Sequence, residues 1–201
     1  MTSRYYIFDG YVERLNNLQH DDRGLTDGYQ KEVYEHAKAL ADWLKVTHVL
    51  DIGCGSGYKL LKNFSDYVTF GFELEPNLSW LIQNYPQRHW LQSDLDLPSP
   101  VQGGLLICSD VIEHIPDPDR LMRFIASVEP QKIVLSTPER EMLEKLQHPH
   151  WVKNGPPVNP AHVREWSFKE FEIYVHTWFD IDEHFISNAQ QGTQCLVASL
   201  P

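Results

Sequence analysis

Within Asp110-Val111-Ile112-Glu113-His114, two carboxylates and an imidazole fall inside five residues, and a second imidazole follows at His162. Groups of this kind take the proton from a hydroxyl, which is a poor nucleophile while protonated. Histidine suits neutral pH, because its unperturbed pKa lies close to the working range. The candidate proton acceptors are therefore Asp110, Glu113, His114 and His162. His162, Asp110 and His114 are the expected catalytic residues, although His114 can equally contact a cofactor or cap a helix. Glu113 is expected to anchor its loop through backbone amides. His148 and His150 read as surface residues of a loop.

These side chains need elements to carry them. Val49-Leu50-Asp51-Ile52 reads as a buried parallel strand, a short apolar run bounded by turn residues. Gly53-Cys54-Gly55-Ser56-Gly57 follows at once and leads into a helix start, the arrangement of a nucleotide-binding strand–turn–helix. Tyr58 stands where a dinucleotide fingerprint places its third glycine, which points away from NAD and towards an adenosyl ligand without a pyrophosphate. A second strand, Val68 to Glu73, ends in an acid twenty positions after Gly53. A carboxylate at that tip offers two acceptor oxygens to two ribose hydroxyls. A third, His89 to Gln92, ends at Ser93-Asp94, where a carboxylate can accept from an adenine amine. The fourth, Gly104 to Ser109, delivers Asp110. Ligands in open α/β sheets sit outside the carboxyl ends of the strands, where all four polar groups are predicted to gather.

On these motifs, with Val134-Leu135-Ser136-Thr137-Pro138 as a fifth, the chain resembles a class I S-adenosylmethionine-dependent methyltransferase from about residue 47 to 140. The resemblance implies a Rossmann-like, seven-stranded, mostly parallel sheet with a C-terminal antiparallel hairpin and helices on both faces. It implies S-adenosyl-L-methionine as cofactor, held by Asp51, Gly53, Cys54, Gly55 and Gly57, by Glu73 and Leu74, by Asp94 and Leu95, and by Ser109. Asp51 is expected to orient the glycine loop. Tyr58 and Lys59 either reach the methionine carboxylate or open the helix. The expected reaction is O-methylation of a hydroxylated small molecule such as a sugar or secondary metabolite.

Asp110-x-x-Glu113-His114 with His162 is also similar to the metal-binding pattern of two methyltransferase groups, the ubiquinone-pathway catechol O-methyltransferases and the small-RNA 2′-O-methyltransferases. Such a set can hold a divalent ion that lowers the pKa of an acceptor hydroxyl. Asp110 departs from the pattern, which has a longer glutamate there, and no metal is assigned from the sequence. A metal-dependent enzyme acting on a vicinal diol or catechol is the alternative. A non-catalytic cofactor-binding regulator is another.

The 201 residues suffice for one domain with its own core. The formal net charge of −11 argues against nucleic acid as the main partner, because phosphate binding needs a basic surface. Cys54, Cys108 and Cys195 are odd in number and widely spaced, which suits a reduced, cytoplasmic compartment. No secretory signal and no apolar run of bilayer length is read, so no membrane partner is expected. A monomer or homodimer is expected.

Residues 1–45 are expected to form an N-terminal helical cap, with Asp27 and Gln30 as a capping box before Val33, Ala37, Leu40, Ala41 and Leu44. Tyr29 and Gln30 lie where they can reach the cofactor. Residues 148–166, rich in proline and aromatics, are expected to be an acceptor-site lid. Trp151, Trp166, Tyr5 and Tyr6 suit stacking on a sugar or ring, with Trp166 equally placed for the core. Ser167 and Glu170 predict the start of another helix, and Phe179 to Phe185 and Cys195 to Leu200 the terminal hairpin.

Overall fold

The computed structural model describes residues 4–16, 21–146 and 153–201. Its strands β1 (His48–Ile52), β2 (Val68–Glu73), β3 (His89–Gln92), β4 (Leu105–Ser109), β5 (Lys132–Pro138), β6 (Asp180–Asn188) and β7 (Thr193–Ser199) form one sheet in the order β3-β2-β1-β4-β5-β7-β6. The first five run parallel, and the last two add an antiparallel edge. This is the predicted fold class. Strand order reverses between β1 and β4, so the carboxyl ends of these two neighbours open a crevice.

Burial on both faces explains the apolar strands. Leu50, Ile52, Leu106, Cys108, Ile133 and Leu135 enter one core layer, while Val49, Leu105, Ile107 and Val134 enter the other, the period of two that a strand imposes. The first layer is covered by α4 (Pro118–Val128) and α6 (Phe168–His176). The second is covered by α1 (Lys31–Leu44), α2 (Tyr58–Asn63) and α3 (Asn77–Asn84). A short helix, α5 (Arg140–Lys145), follows β5. Ser167 and Glu170 cap α6 as predicted, the Glu170 carboxylate accepting from the Ser167 amide at 2.8 Å.

The helix α1 buries Val33, Ala37 and Ala41 as expected but begins later than the Asp27 capping box implied. Gln30 takes a left-handed conformation at φ 62 instead, and its side-chain amide donates to the Ser109 carbonyl. Asp27 pairs with Lys62. Among the described residues before α1, only Arg4–Tyr6 forms a helical turn, and the rest is irregular chain. All three cysteines are free and buried. No described helix is long and apolar enough to cross a membrane.

Candidate active site

The chain turns sharply out of β1 at Gly53, whose φ is +71 and whose amide donates to the Phe72 carbonyl at 2.8 Å. A Cβ there would lie 2.4 Å from Val111 Cγ2, so only glycine lets the loop pass the segment that leaves β4. At the tip of β2, Glu73 Oε2 accepts from the Gly55 amide and Oε1 from the Leu74 amide, both at 2.8 Å. Burial raises the pKa of Glu73, and those two amides oppose the rise. Each oxygen retains acceptor capacity for an outside donor. Glu73, Leu74, Asn77, Ser93 and Leu95 line a cavity of about 370 Å³. A second cavity of about 580 Å³ shares Asp22, Gly53, Asp110 and His114 with it, so the two form one groove across the strand tips.

Segment 21–30 borders this groove. Ser56 Oγ donates to the Leu25 carbonyl at 2.6 Å, and the Gln191 side chain donates to the Gly28 carbonyl at 2.7 Å. Lys59 is buried, lines the larger cavity and reaches the Thr26 carbonyl at 3.4 Å.

Asp51 lies beneath the loop, fully buried. Its Oδ2 accepts from Tyr34 at 2.8 Å, and its Oδ1 has no hydrogen-bond partner among the described residues. Burial pushes its pKa up to about 7, against the pull of the Tyr34 hydroxyl and Lys59. The folded chain therefore holds a proton that the unfolded chain releases near the ordinary carboxyl value of 3.8. Stability from this group falls as pH rises between those values, a cost of about 4 kcal/mol once above about pH 7. The variant Asp51→Asn is expected to gain stability over wild type at pH 8 and little at pH 4, checked by urea titration at both. An equal change at both values would remove Asp51 as the source.

Beyond β4, Asp110 has φ 53, a left-handed conformation costly for a residue with a Cβ and held here by its neighbours. Its amide donates to the Ser136 carbonyl, and its Oδ1 accepts from the Ser136 hydroxyl at 2.8 Å. The short helical turn Ile112–His114 then presents Glu113 and His114. Glu113 is fully buried. Thr137 donates to its Oε2 at 3.0 Å, while Oε1 has no hydrogen-bond partner among the described residues. Burial and the Asp110 charge raise its pKa to about 8, with His162 opposing. That Oε1 lies 3.9 Å from His114 Nε2 and 4.0 Å from His162 Nε2.

Hydrogen bonds fix both tautomers. His114 Nδ1 lies 2.9 Å from the Ala161 carbonyl, which can only accept, so Nδ1 carries the proton. His162 Nδ1 lies 2.7 Å from Glu165 Oε1 and donates to it in the same way. Asn159 Oδ1 accepts from the Ala161 amide, which turns the Asn159 NH₂ towards His162 Nε2 at 3.0 Å. The basic Nε2 of each ring thus faces Glu113, the rings crossing at 86° with centroids 4.8 Å apart. The three ligand atoms all lie within 4.8 Å of one another. A cation about 2.0–2.2 Å from each needs separations of about 3–4 Å, so small shifts suffice.

The predicted residues fall into place unevenly. Gly53, Cys54, Gly55, Ser109, Glu73, Leu74 and Leu95 line the groove. Asp110, His114 and His162 come together at the larger cavity, as expected. Asp51 and Gly57 lie outside the lining, and the Asp94 carboxylate is exposed and accepts from the Asp96 amide at 3.0 Å. The Glu113 carboxylate is held by Thr137 and by a backbone amide of its own turn, and its main-chain carbonyl accepts from the Val163 amide at 2.7 Å. Trp166 and Tyr5 are core residues, and Tyr6 does not line the larger cavity. Tyr29 and Gln30 do line it. Residues His148, His150 and Trp151 lie outside the described residues. Sequence reasoning missed Asp22, Asn159, Glu165, Gln191 and Thr193. The one available signal was Glu165, three residues after His162.

Residues 19–178 match the family model described as Methyltransferase domain. Curated relatives include the ubiquinone biosynthesis O-methyltransferase of Coxiella burnetii, 29% identical over 94 residues. That match spans 42% of this chain and 40% of the relative. Among solved structures, the methyltransferase domain of bacterial CtHen1 superposes with a TM-score of 0.63 at 21% identity, covering 85% of this chain and 99% of that one. The magnesium protoporphyrin IX methyltransferase of Synechocystis PCC 6803, solved with bound S-adenosylhomocysteine, gives 0.61 at 16% identity, covering 89% and 90%. At these identities the likeness is one of fold.

Proposed function

The chain belongs to the class I S-adenosylmethionine-dependent methyltransferases, and we propose that it methylates a hydroxyl of a small acceptor at the Glu113–His114–His162 cluster, with a divalent cation held there. The observation that carries this is the convergence of one buried carboxylate oxygen and two imidazole Nε2 atoms beside the groove. Glu113 Oε1 lacks a hydrogen donor among the described residues, and both rings turn their basic nitrogens towards it. An acceptor on Nδ1 is what a metal-ligating histidine needs for orientation and basicity.

The groove fits the family's cofactor. Glu73 has acceptor capacity for ribose hydroxyls, and Lys59 places a cation at the opposite end for a carboxylate. When bound, S-adenosylmethionine supplies an electrophilic methyl group on a sulfonium. Glu73 and the glycine loop fix its orientation, because the protein contributes mainly by holding two reactants in line. A cation held by Glu113, His114 and His162 would lower the pKa of an acceptor hydroxyl. Binding a cation at His162 Nε2 would require its bond from the Asn159 NH₂ to open. Where no cation binds, His162 serves as the base, with Glu165 steadying the charge it gains.

Oxygen as the target is supported by the O-methyltransferase relative. Asp22, Asp110, Glu113 and Glu165 line the larger cavity, and Lys59 is the only lysine or arginine among its described lining residues. That lining favours an uncharged acceptor, such as a vicinal diol or catechol with two adjacent oxygens, over a polyanion. The same charge supports a small-molecule acceptor over nucleic acid or a membrane surface.

S-Adenosylhomocysteine is expected to raise the Tm of the purified chain, and NAD is not, because a ligand that binds only the native state stabilises it. Glu73→Ala should cost about 1–3 kcal/mol of that binding, the range for unmade hydrogen bonds to a buried group. Glu75 is the control: its carboxylate accepts from Ser79 on α3, so Glu75→Ala should leave cofactor affinity nearly unchanged. Stabilisation by NAD alone would overturn the reading.

A further inference from the structure

Residues 5–14 have little regular structure of their own, yet they hold the loop that carries His162. The Val12 amide donates to the Asn154 carbonyl at 2.6 Å, and the Arg14 amide donates to the Val163 carbonyl at 2.8 Å. The Arg14 guanidinium donates to the Pro157 carbonyl at 2.6 Å. Between them, the Glu13 carboxylate accepts from Nε of Arg164, on the same loop, at 2.7 Å. The fit is close at Gly155, where φ is +72 and a Cβ would stand 2.3 Å from the Val12 carbonyl oxygen.

On its other side the same loop meets the short helical turn, the Val163 amide donating to the Glu113 carbonyl at 2.7 Å. Residues 162–165 are thus held between segment 11–14 and Glu113. The Glu165 peptide is clamped at both ends. Its amide donates to the Tyr11 hydroxyl at 3.0 Å, and its carbonyl accepts from Arg140 at 2.8 Å. Arg140 also lies over the Tyr11 ring, 5.1 Å from its centroid. The Glu165 carboxylate, aimed by that peptide, receives His162 Nδ1–H.

We propose that Tyr11 is a positioning residue for the acceptor site: through Glu165 it keeps His162 in the Nδ1–H tautomer with Nε2 turned towards Glu113. The proposal rests on the role given to His162 above, but its geometry does not depend on a cation being present. Segment 5–14 then acts as an outer buttress of the reaction centre without touching cofactor or acceptor.

The test is the tautomer of His162 in the cofactor-bound, metal-free protein, read from long-range ¹H–¹⁵N correlations of the imidazole. Wild type should show a single Nδ1–H form. Tyr11→Phe keeps the ring that packs on Phe8 and under Arg140 and removes only the hydroxyl. It should show both tautomers, with Mn²⁺ affinity down about tenfold, as for the loss of a partner that orients a metal ligand. Its S-adenosylhomocysteine affinity should stay within about twofold of wild type. Gly155→Ala, which displaces the segment by a different contact, should move the tautomer the same way. An unchanged His162 spectrum in both variants overturns the proposal, and so does a parallel loss of S-adenosylhomocysteine affinity, which would mark general loosening. Wild type that binds no Mn²⁺ would refute the cation reading alone, since the tautomer comparison still decides the role of Tyr11.

Discussion

Replacing His162 by alanine is expected to lower kcat by about a hundredfold or more while leaving S-adenosylhomocysteine affinity close to wild type, the signature of losing a group that acts only on the acceptor. The two functions lie apart in space. Glu73 lines only the smaller cavity and His162 only the larger one. His162 is nearly buried and held by Glu165 and Asn159, so alanine leaves both partners without the ring they orient. Single-turnover rates with the acceptor, alongside calorimetric titration with S-adenosylhomocysteine, check both halves. Full turnover in this variant would remove His162 from the chemistry, whether as base or as metal ligand.

Chelation gives the second large effect. Dialysis against EDTA should abolish methyl transfer, and Mn²⁺ or another divalent ion should restore it. Glu113→Gln preserves the side-chain volume in a fully buried site but removes the ability to ionise and ligate a cation. It should therefore weaken metal binding by about one to two orders of magnitude, within the range seen even for partners that only orient a ligand. Thr137 can still donate to the amide oxygen of the introduced glutamine, so the fold is expected to tolerate the change. Activity indifferent to EDTA and to added ions would leave His162 acting as a general base without a cation.

The frame of this molecule was legible because its signals are local. The apolar run before Gly53, the acid ending β2 and the cap at Ser167 each declare an element through the residues next to them. The site was legible where a strand tip delivers a residue directly, as at Glu73 and Asp110, and at His162, a proton-accepting side chain on the expected lid. Asp94 also sits after a strand, and its Oδ1 accepts from the Asp96 amide in its own turn. Gln30 is another case, because its left-handed backbone at φ 62 stops the helix short of the Asp27 cap that the pattern placed. Glu113 was assigned to anchoring since sequence shows an acid and not its surroundings. Burial without a donor on Oε1 is a property of the folded neighbourhood, created when a distant loop brings His162 beside it. The path of that loop, and of segment 5–14 against it, follows no period and could not be read from spacing.

The most direct measurement is electron paramagnetic resonance of Mn²⁺ titrated into the protein with S-adenosylhomocysteine bound. One saturable ion per chain is expected, with ¹⁴N couplings from imidazole in its spin-echo modulation that are lost when His114 and His162 are both replaced by alanine. Manganese that never saturates a site, or that binds without nitrogen coupling, would contradict it.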